Sequence, residues 1–358
     1  MAIYALIFLI GALLALASDR RGSRSLAAFR LIFLFLVVFA TFRFNVGCDW
    51  GGYFVNYLDA GRMNFAEALF HLEPAWWGWL WFVHLLDLPY PAANLLPSAF
   101  FFSGIWYLAR RQPNPAAILV FAFPVLVLGI AMSGIRQGAA IGIVCFAITA
   151  FQAGRPVRFS IFLILASLWH SSALIFFLLL PFTLSRDRRV HLLAVLLLGI
   201  PILAALLQSE GADTALDRYT GETTSVAYGA PLRLGLLAVT ALFYFVFLRA
   251  RWLKKYPNEA LFISLMAIGM LGTVALIPFS SVIADRLGYY LIVPQLIILG
   301  RISVLLSGRQ LLLGQTIAYG MFAAYLAIWI GFSSLFEACY IPYETWIFGF
   351  PGPIVDLS

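Results

Sequence analysis

Three arginines stand apart from the other basic residues of this chain: Arg43, Arg136 and Arg286 each fall at the edge of a long apolar run, away from any basic cluster. A charge beside hydrocarbon is costly, so an arginine at a helix end facing a cavity is a functional candidate. Its planar, permanently charged fork suits phosphate oxygens, which points to an anionic ligand such as a lipid pyrophosphate. The plainer alternative is pairing with a nearby carboxylate, and Asp285 stands next to Arg286. Among acids and bases, Asp49 lies in Asn45-Val46-Gly47-Cys48-Asp49-Trp50-Gly51-Gly52-Tyr53, directly after an apolar segment. There it either places a carboxylate at the rim of a site or caps the next helix. His170 sits at a break between the apolar runs 159–169 and 171–184. An imidazole there can accept a proton near neutral pH, or can satisfy backbone groups freed by the break. Glu73, opening Glu73-Pro74-Ala75-Trp76-Trp77-Gly78-Trp79-Leu80-Trp81, is a further carboxylate candidate. His71, His84 and Asp87 read as interfacial polar residues.

Other chemistries are missing from the sequence. It contains no Walker loop, dinucleotide fingerprint, HExxH or serine elbow. Cys48, Cys145 and Cys339 lack metal-ligand spacing, and no acidic cluster suggests a metal, so neither metal nor cofactor is expected. Cys145 reads as a small buried hydrophobe. Cys48 and Cys339 could pair if their compartment is oxidising.

The elements that hold these residues must be membrane helices. Of the 358 residues, 63% are hydrophobic and only 11% charged, more apolar than any soluble core of this length requires. A helical span takes about 20 apolar residues. Runs such as 31–40, 116–132 and 232–248 lack the alternation of a barrel strand. The expected fold is an all-α polytopic membrane protein of about 11 to 12 membrane segments. It forms a single integral membrane domain over 1–358, with loops or tails at 45–91, 208–231 and 333–358. The first run, Ala2 to Ala17, reads as a retained span rather than a signal peptide.

Charge orients these segments. The net charge of +7 is not a nucleic-acid footprint, because the cations sit in short loops between apolar runs. Six clusters, at 20–24, 110–111, 155–158, 186–189, 249–255 and 301–309, hold 16 of the 23 basic residues. Short cytoplasmic loops retain Lys and Arg, so all six are expected on the cytoplasmic side. That parity puts 45–91 outside, with the Trp-rich run as a helix on or dipping into the outer leaflet. It also makes 159–184 a broken helical hairpin with His170 at its tip, and places Asp49, Arg136, His170 and Arg286 on the non-cytoplasmic face.

At these residues the chain resembles the EpsG family of Wzy-type bacterial polysaccharide polymerases over nearly its whole length. The matching pieces are Arg43 with Val46-Gly47-Cys48-Asp49 and Tyr53; Glu73-Pro74; Ile135-Arg136-Gln137; Ala166 with Trp169-His170-Ser171-Ser172-Ala173; Arg286 with Tyr289 and Tyr290; and Tyr340-Ile341-Pro342-Tyr343-Glu344. The resemblance implies a GT-C-like glycosyltransferase of the bacterial inner membrane with its site facing the periplasm. It would transfer a growing glycan from undecaprenyl pyrophosphate to a hydroxyl of the next lipid-linked repeat unit of an exopolysaccharide, capsule or O-antigen. On this reading Asp49, His170 and Glu73 are the catalytic candidates. Arg43, Arg136, Arg286, Tyr53, Gln137, Tyr290 and Tyr343 are the candidates for holding pyrophosphate and sugar. Expected partners are the lipid-linked oligosaccharide, the bilayer, and the flippase and chain-length-control proteins of the same pathway; no nucleic acid is expected. Competing readings are a glycosyltransferase adding one sugar from a polyprenyl phosphate, a glycan ligase, and a flippase for lipid-linked sugars. Transporters usually bind near the midplane on broken helices, whereas these candidates crowd one face.

Overall fold

The computed structural model describes residues 1–18, 23–184, 227 and 229–352. The expected span at 192–207, most of the loop at 208–231, the basic cluster at 186–189, Arg218 and the last six residues lie outside them. The described chain is almost wholly helical. Its elements begin with α1 (Ala2–Ala17), α2 (Ser23–Thr41), the two-residue strand β1 (Arg43–Phe44), α3 (Trp50–Ala60), α4 (Phe65–Phe70) and α5 (Pro74–Leu85). A tight turn at Tyr90–Asn94 leads into α6 (Leu95–Ala109), followed by α7 (Pro115–Ala122), α8 (Ile135–Gln152) and α9 (Pro156–Ser167). After Ser171–Leu179 come α10 (Ala230–Phe243), α11 (Pro257–Leu276), α12 (Ser281–Gly300), α13 (Gly308–Phe332), α14 (Ser334–Tyr340) and the strand β2 (Glu344–Thr345).

Among the described residues, six helices are long and apolar enough to cross a membrane: 90–109, 135–152, 230–255, 257–276, 281–300 and 308–332. Five shorter apolar helices join them: 2–17, 26–41, 115–131, 156–167 and 171–183. The protein is a polytopic helical membrane protein. Much of its apolar surface faces outward, including Leu13, Leu31, Leu34, Val246 and Leu312, as hydrocarbon solvent requires.

Two local features set the geometry beneath the site. First, α6 and α8 pack backbone to backbone. A β-carbon on Gly104 would lie 1.9 Å from the Gly142 carbonyl oxygen, and one on Gly142 would lie 2.2 Å from that of Phe100. Only glycine permits this approach, and small residues are the usual device for close helix packing where lipid supplies no hydrophobic drive. Second, Pro124 has no amide to donate, and its ring crowds the preceding turn. The helix accommodates it by widening to π-helical turns over Phe123–Ala131, after which a short turn through Ser133 delivers the chain into α8.

The segment between α2 and α6 forms a cap of three short helices at 50–60, 65–70 and 74–85. The Trp-rich helix α5 faces inward more than outward: Trp76 and Trp77 are buried while Phe82, Leu85 and Leu86 are exposed. The tail closes over this cap. β1 pairs antiparallel with β2, Arg43 opposite Thr345 and Phe44 opposite Glu344, and Cys48 is disulfide-bonded to Cys339.

The other helix ends carry a separate polar lock. Arg301 donates to Glu259 (2.7 Å) and Gln112 (3.0 Å), and lies over the rings of Tyr256 and Trp252. Gln152, at the C-terminus of α8, reaches the same Glu259 carboxylate. It is 16 residues from Arg136, or roughly 24 Å along a helix, so this lock and the candidate site lie at opposite ends of α8.

Candidate functional site

Glu73 is the hub. It precedes Pro74 in left-handed backbone (φ 63°, ψ 60°), a conformation that costs a non-glycine residue about 1–2 kcal/mol. Such strain persists only where the surroundings over-determine it, and here they do. The Ala75 amide donates to the Leu168 carbonyl (3.0 Å), pinning the start of α5 to the end of α9. The buried Glu73 carboxylate then receives three partners: Arg136 Nη1 on Oε2 at 2.7 Å, the Ser171 amide on Oε1 at 3.2 Å, and His170 Nδ1 on Oε1. Burial alone would raise its pKa. His170, Arg136 and the Ser171 amide outweigh that and hold it at about 2. A carboxylate ionised so firmly, with both oxygens engaged, is a clamp rather than a proton acceptor at neutral pH.

His170 stands where the break was expected. α9 ends at Ser167, the His170 amide bonds back to Ala166, and the chain turns extended at His170 before resuming as the tight helix Ser171–Leu179, which packs against α9. With Nδ1 on Glu73, the Nε2 edge of the ring is left for other use. Arg136 sits in the first turn of α8, a quarter exposed, with its guanidinium 5.6 Å from the centre of the Tyr53 ring. The Tyr53 ring in turn packs edge-on against Trp76, and burial pushes its hydroxyl up to about 12.

Asp49 behaves differently from Glu73. It ends the loop after β1, its amide donates to Ser133 Oγ (3.3 Å), and it precedes α3 without a side-chain capping bond. Asp49 is an exposed residue, although the surrounding protein still takes away part of the hydration of its carboxyl. That partial dehydration raises its pKa even against the pull of Arg136, Arg286 and Arg43. A reachable carboxylate with a raised pKa beside guanidinium groups has the properties of a general base.

Arg286, in the first turns of α12, acts electrostatically on Asp49, and its backbone carbonyl accepts from Gln137 Nε2 at 2.8 Å. Gln137 therefore ties α8 to α12 directly behind Arg136. Tyr290 is buried and shares a hydrogen bond with Ser172 (3.0 Å), tying α12 to the His170 break. Arg43 lies below the site, 1% exposed, donating to the carbonyls of Val46 and Ala40 and to Asn94 Oδ1. Its fork is aimed at the chain's own backbone. Tyr343 stacks on Phe39 and donates to the Phe39 carbonyl, so it anchors the tail to α2. Asp285 is bonded at both oxygens by Arg233 (2.8 and 2.6 Å) rather than by Arg286. His84 stacks on Tyr57 and bonds its carbonyl. Ser171 and Ser172 belong to the family-matching piece around His170 but were given no role from sequence, and Ser133 had no signal beyond standing three residues before Arg136.

The sequence model of the EpsG family matches residues 26–345, which takes in every residue of this cluster. The chain belongs to the EpsG family. No curated protein and no solved structure matches the chain. Membership of the EpsG family carries a polysaccharide-polymerase type of function, in general terms a glycosyltransferase-like one, performed by a multi-pass membrane protein. No group of three or more metal-ligating side chains occurs among the described residues of this EpsG protein.

Proposed function

We propose that this EpsG protein is a GT-C-like polymerase of the bacterial inner membrane, joining undecaprenyl-pyrophosphate-linked repeat units at its periplasmic face. Arg136 and Arg286 bind the pyrophosphate of the donor. Glu73 fixes Arg136 and His170 in one orientation, so that the guanidinium and the Nε2 edge of the imidazole reach the substrate together. The acceptor hydroxyl loses its proton to Asp49 as its oxygen bonds to the anomeric carbon of the growing glycan. The bond from that carbon to the pyrophosphate oxygen breaks, and the pyrophosphate leaves with the electron pair against the two guanidinium charges. Fixed cations aimed at a developing negative charge are the most productive form of such stabilisation.

One observation supports this reading above the rest. The structure gathers residues from four separate helix ends so that an arginine–glutamate–histidine clamp lies beside a reachable carboxylate of raised pKa. The test is purified protein with lipid-linked repeat units and a product ladder on a gel. Wild type should give a ladder, and Arg136→Ala and Asp49→Asn should give none. Addition of a single sugar, or outward movement of lipid-linked sugar in vesicles without bond formation, would overturn the proposal.

A further inference from the structure

A recess opens beside the loop that carries Asp49. Its volume is about 230 Å³, and its wall includes Asn45, Cys48, Trp50, Pro342 and Glu344. That is far more than the ~10–15 Å³ needed for one water molecule. Trp50 is buried and forms part of its floor, whereas Asn45 and Cys48 are exposed. Neither the Asn45 amide nor the Glu344 carboxylate is bonded to another described residue. The disulfide and the β1–β2 pair hold the two sides of the recess together.

The lining decides the class of ligand. One carboxylate, one side-chain amide and several peptide groups offer hydrogen bonds in both directions, and no arginine or lysine contributes. A pyrophosphate or a lipid headgroup phosphate would meet Glu344 with no cation to offset it. Sugar hydroxyls, acetamido groups or an amino sugar would satisfy the same groups. The recess is also correctly placed for a glycan. Its wall runs through Gly47, Cys48, Trp50 and Gly51, so a sugar seated there is within one residue of Asp49 in the chain.

We propose that this recess is a subsite for a sugar residue of the glycan being extended, one or more residues away from the bond that forms. This rests on the polymerase reading above. An enzyme that extends a polymer gains from holding the chain beyond its reacting end, because remote binding energy then positions the reacting end.

The test uses full-length protein in lipid nanodiscs, with soluble fragments two repeat units long cut from the polysaccharide of the cells that make this protein. Two readouts are taken: binding by calorimetry, and the rate at which Cys48 is labelled by a maleimide after the disulfide is reduced. Fragments should bind wild type and should slow labelling of Cys48. Near-isosteric Glu344→Gln combined with Asn45→Gly, which removes the side-chain amide and suits the positive φ of Asn45 (50°), should weaken binding about tenfold. Asp49→Asn should bind fragments like wild type, which separates this subsite from the reacting centre. Unchanged affinity in the double variant, or unchanged Cys48 labelling, overturns the subsite. Absent binding by a protein that still builds polymer overturns the subsite alone. Absent binding together with absent polymerisation overturns both.

Discussion

Replacing Glu73 by Gln tests the clamp most directly. Glutamine keeps the shape and leaves an acceptor for the Ser171 amide and His170 Nδ1. It also turns an NH2 towards Arg136, where the wild-type carboxylate accepts at 2.7 Å. Glu73 is almost fully buried, so solvent screens its interactions little. The folded state lowers its pKa from an ordinary 4.5 to about 2, which corresponds to about 3 kcal/mol favouring the folded, ionised form. Because the folded value is the lower one, this stabilisation is complete above the ordinary value and is lost as pH falls towards 2. The melting temperature of Glu73→Gln in detergent should therefore lie well below wild type at pH 7. The gap should narrow steadily as the pH is brought from 5 to 3. In the polymerisation assay, release of Arg136 and His170 should slow first-bond formation about 100-fold, equivalent to about 2.7 kcal/mol of lost positioning. A variant within about threefold of wild type, or a melting gap independent of pH, would refute the clamp.

Asp49→Asn should reduce first-bond formation by about 10²- to 10⁴-fold. In wild type the rate should fall on the acid side with a midpoint above the ordinary carboxylate range, because protonation of Asp49 removes the base; a profile identical in both proteins would exclude that role. Arg43→Gln should act through folding, removing buried bonds and costing about 3 kcal/mol or more; the check is a reduced monodisperse fraction on size exclusion with near-normal turnover in what remains. Gly142→Leu should separate α6 from α8 and cost at least about 1–3 kcal/mol, lowering the melting temperature and, through the displaced start of α8, the rate. Glutaraldehyde-free, non-reducing gels of Cys48→Ser should show loss of the faster-migrating disulfide form, and its melting point should drop, within the roughly 2–4 kcal/mol usual for a lost disulfide.

The membrane fold was legible because hydrophobic runs and arginine-bearing loops are long-range signals that need no tertiary knowledge. The break at His170 was legible for the same reason, since two runs each too short to span must meet at something polar. What the sequence could not show is that Glu73 is the centre. Its role depends on a left-handed backbone at that one residue and on the meeting of α5, α8 and α9, which no spacing encodes. Arg43 illustrates the opposite error. An arginine at the edge of an apolar run reads as a ligand site, but this one is folded back onto the carbonyls of its own helix end and Val46. Helix geometry also bears on the pairing of Asp285. Adjacent residues on a helix point about 100° apart and do not face each other, so Asp285 had to look elsewhere for its cation, and Arg233 lies 52 residues away in sequence.

The bond between Cys48 and Cys339 also has a meaning for how the protein is made. The two cysteines are 291 residues apart in sequence, so at usual synthesis rates roughly 15 to 60 s separate their arrival. Throughout that interval the loop bearing Asp49 lacks its covalent brace, its strand partner at Glu344–Thr345 and the anchoring tail. A partly made chain already holds Glu73, Arg136 and His170, yet cannot fasten the carboxylate against them. The cluster around Glu73 and Asp49 therefore takes its final, braced arrangement only after the tail that carries Cys339 and Glu344–Thr345 has been made.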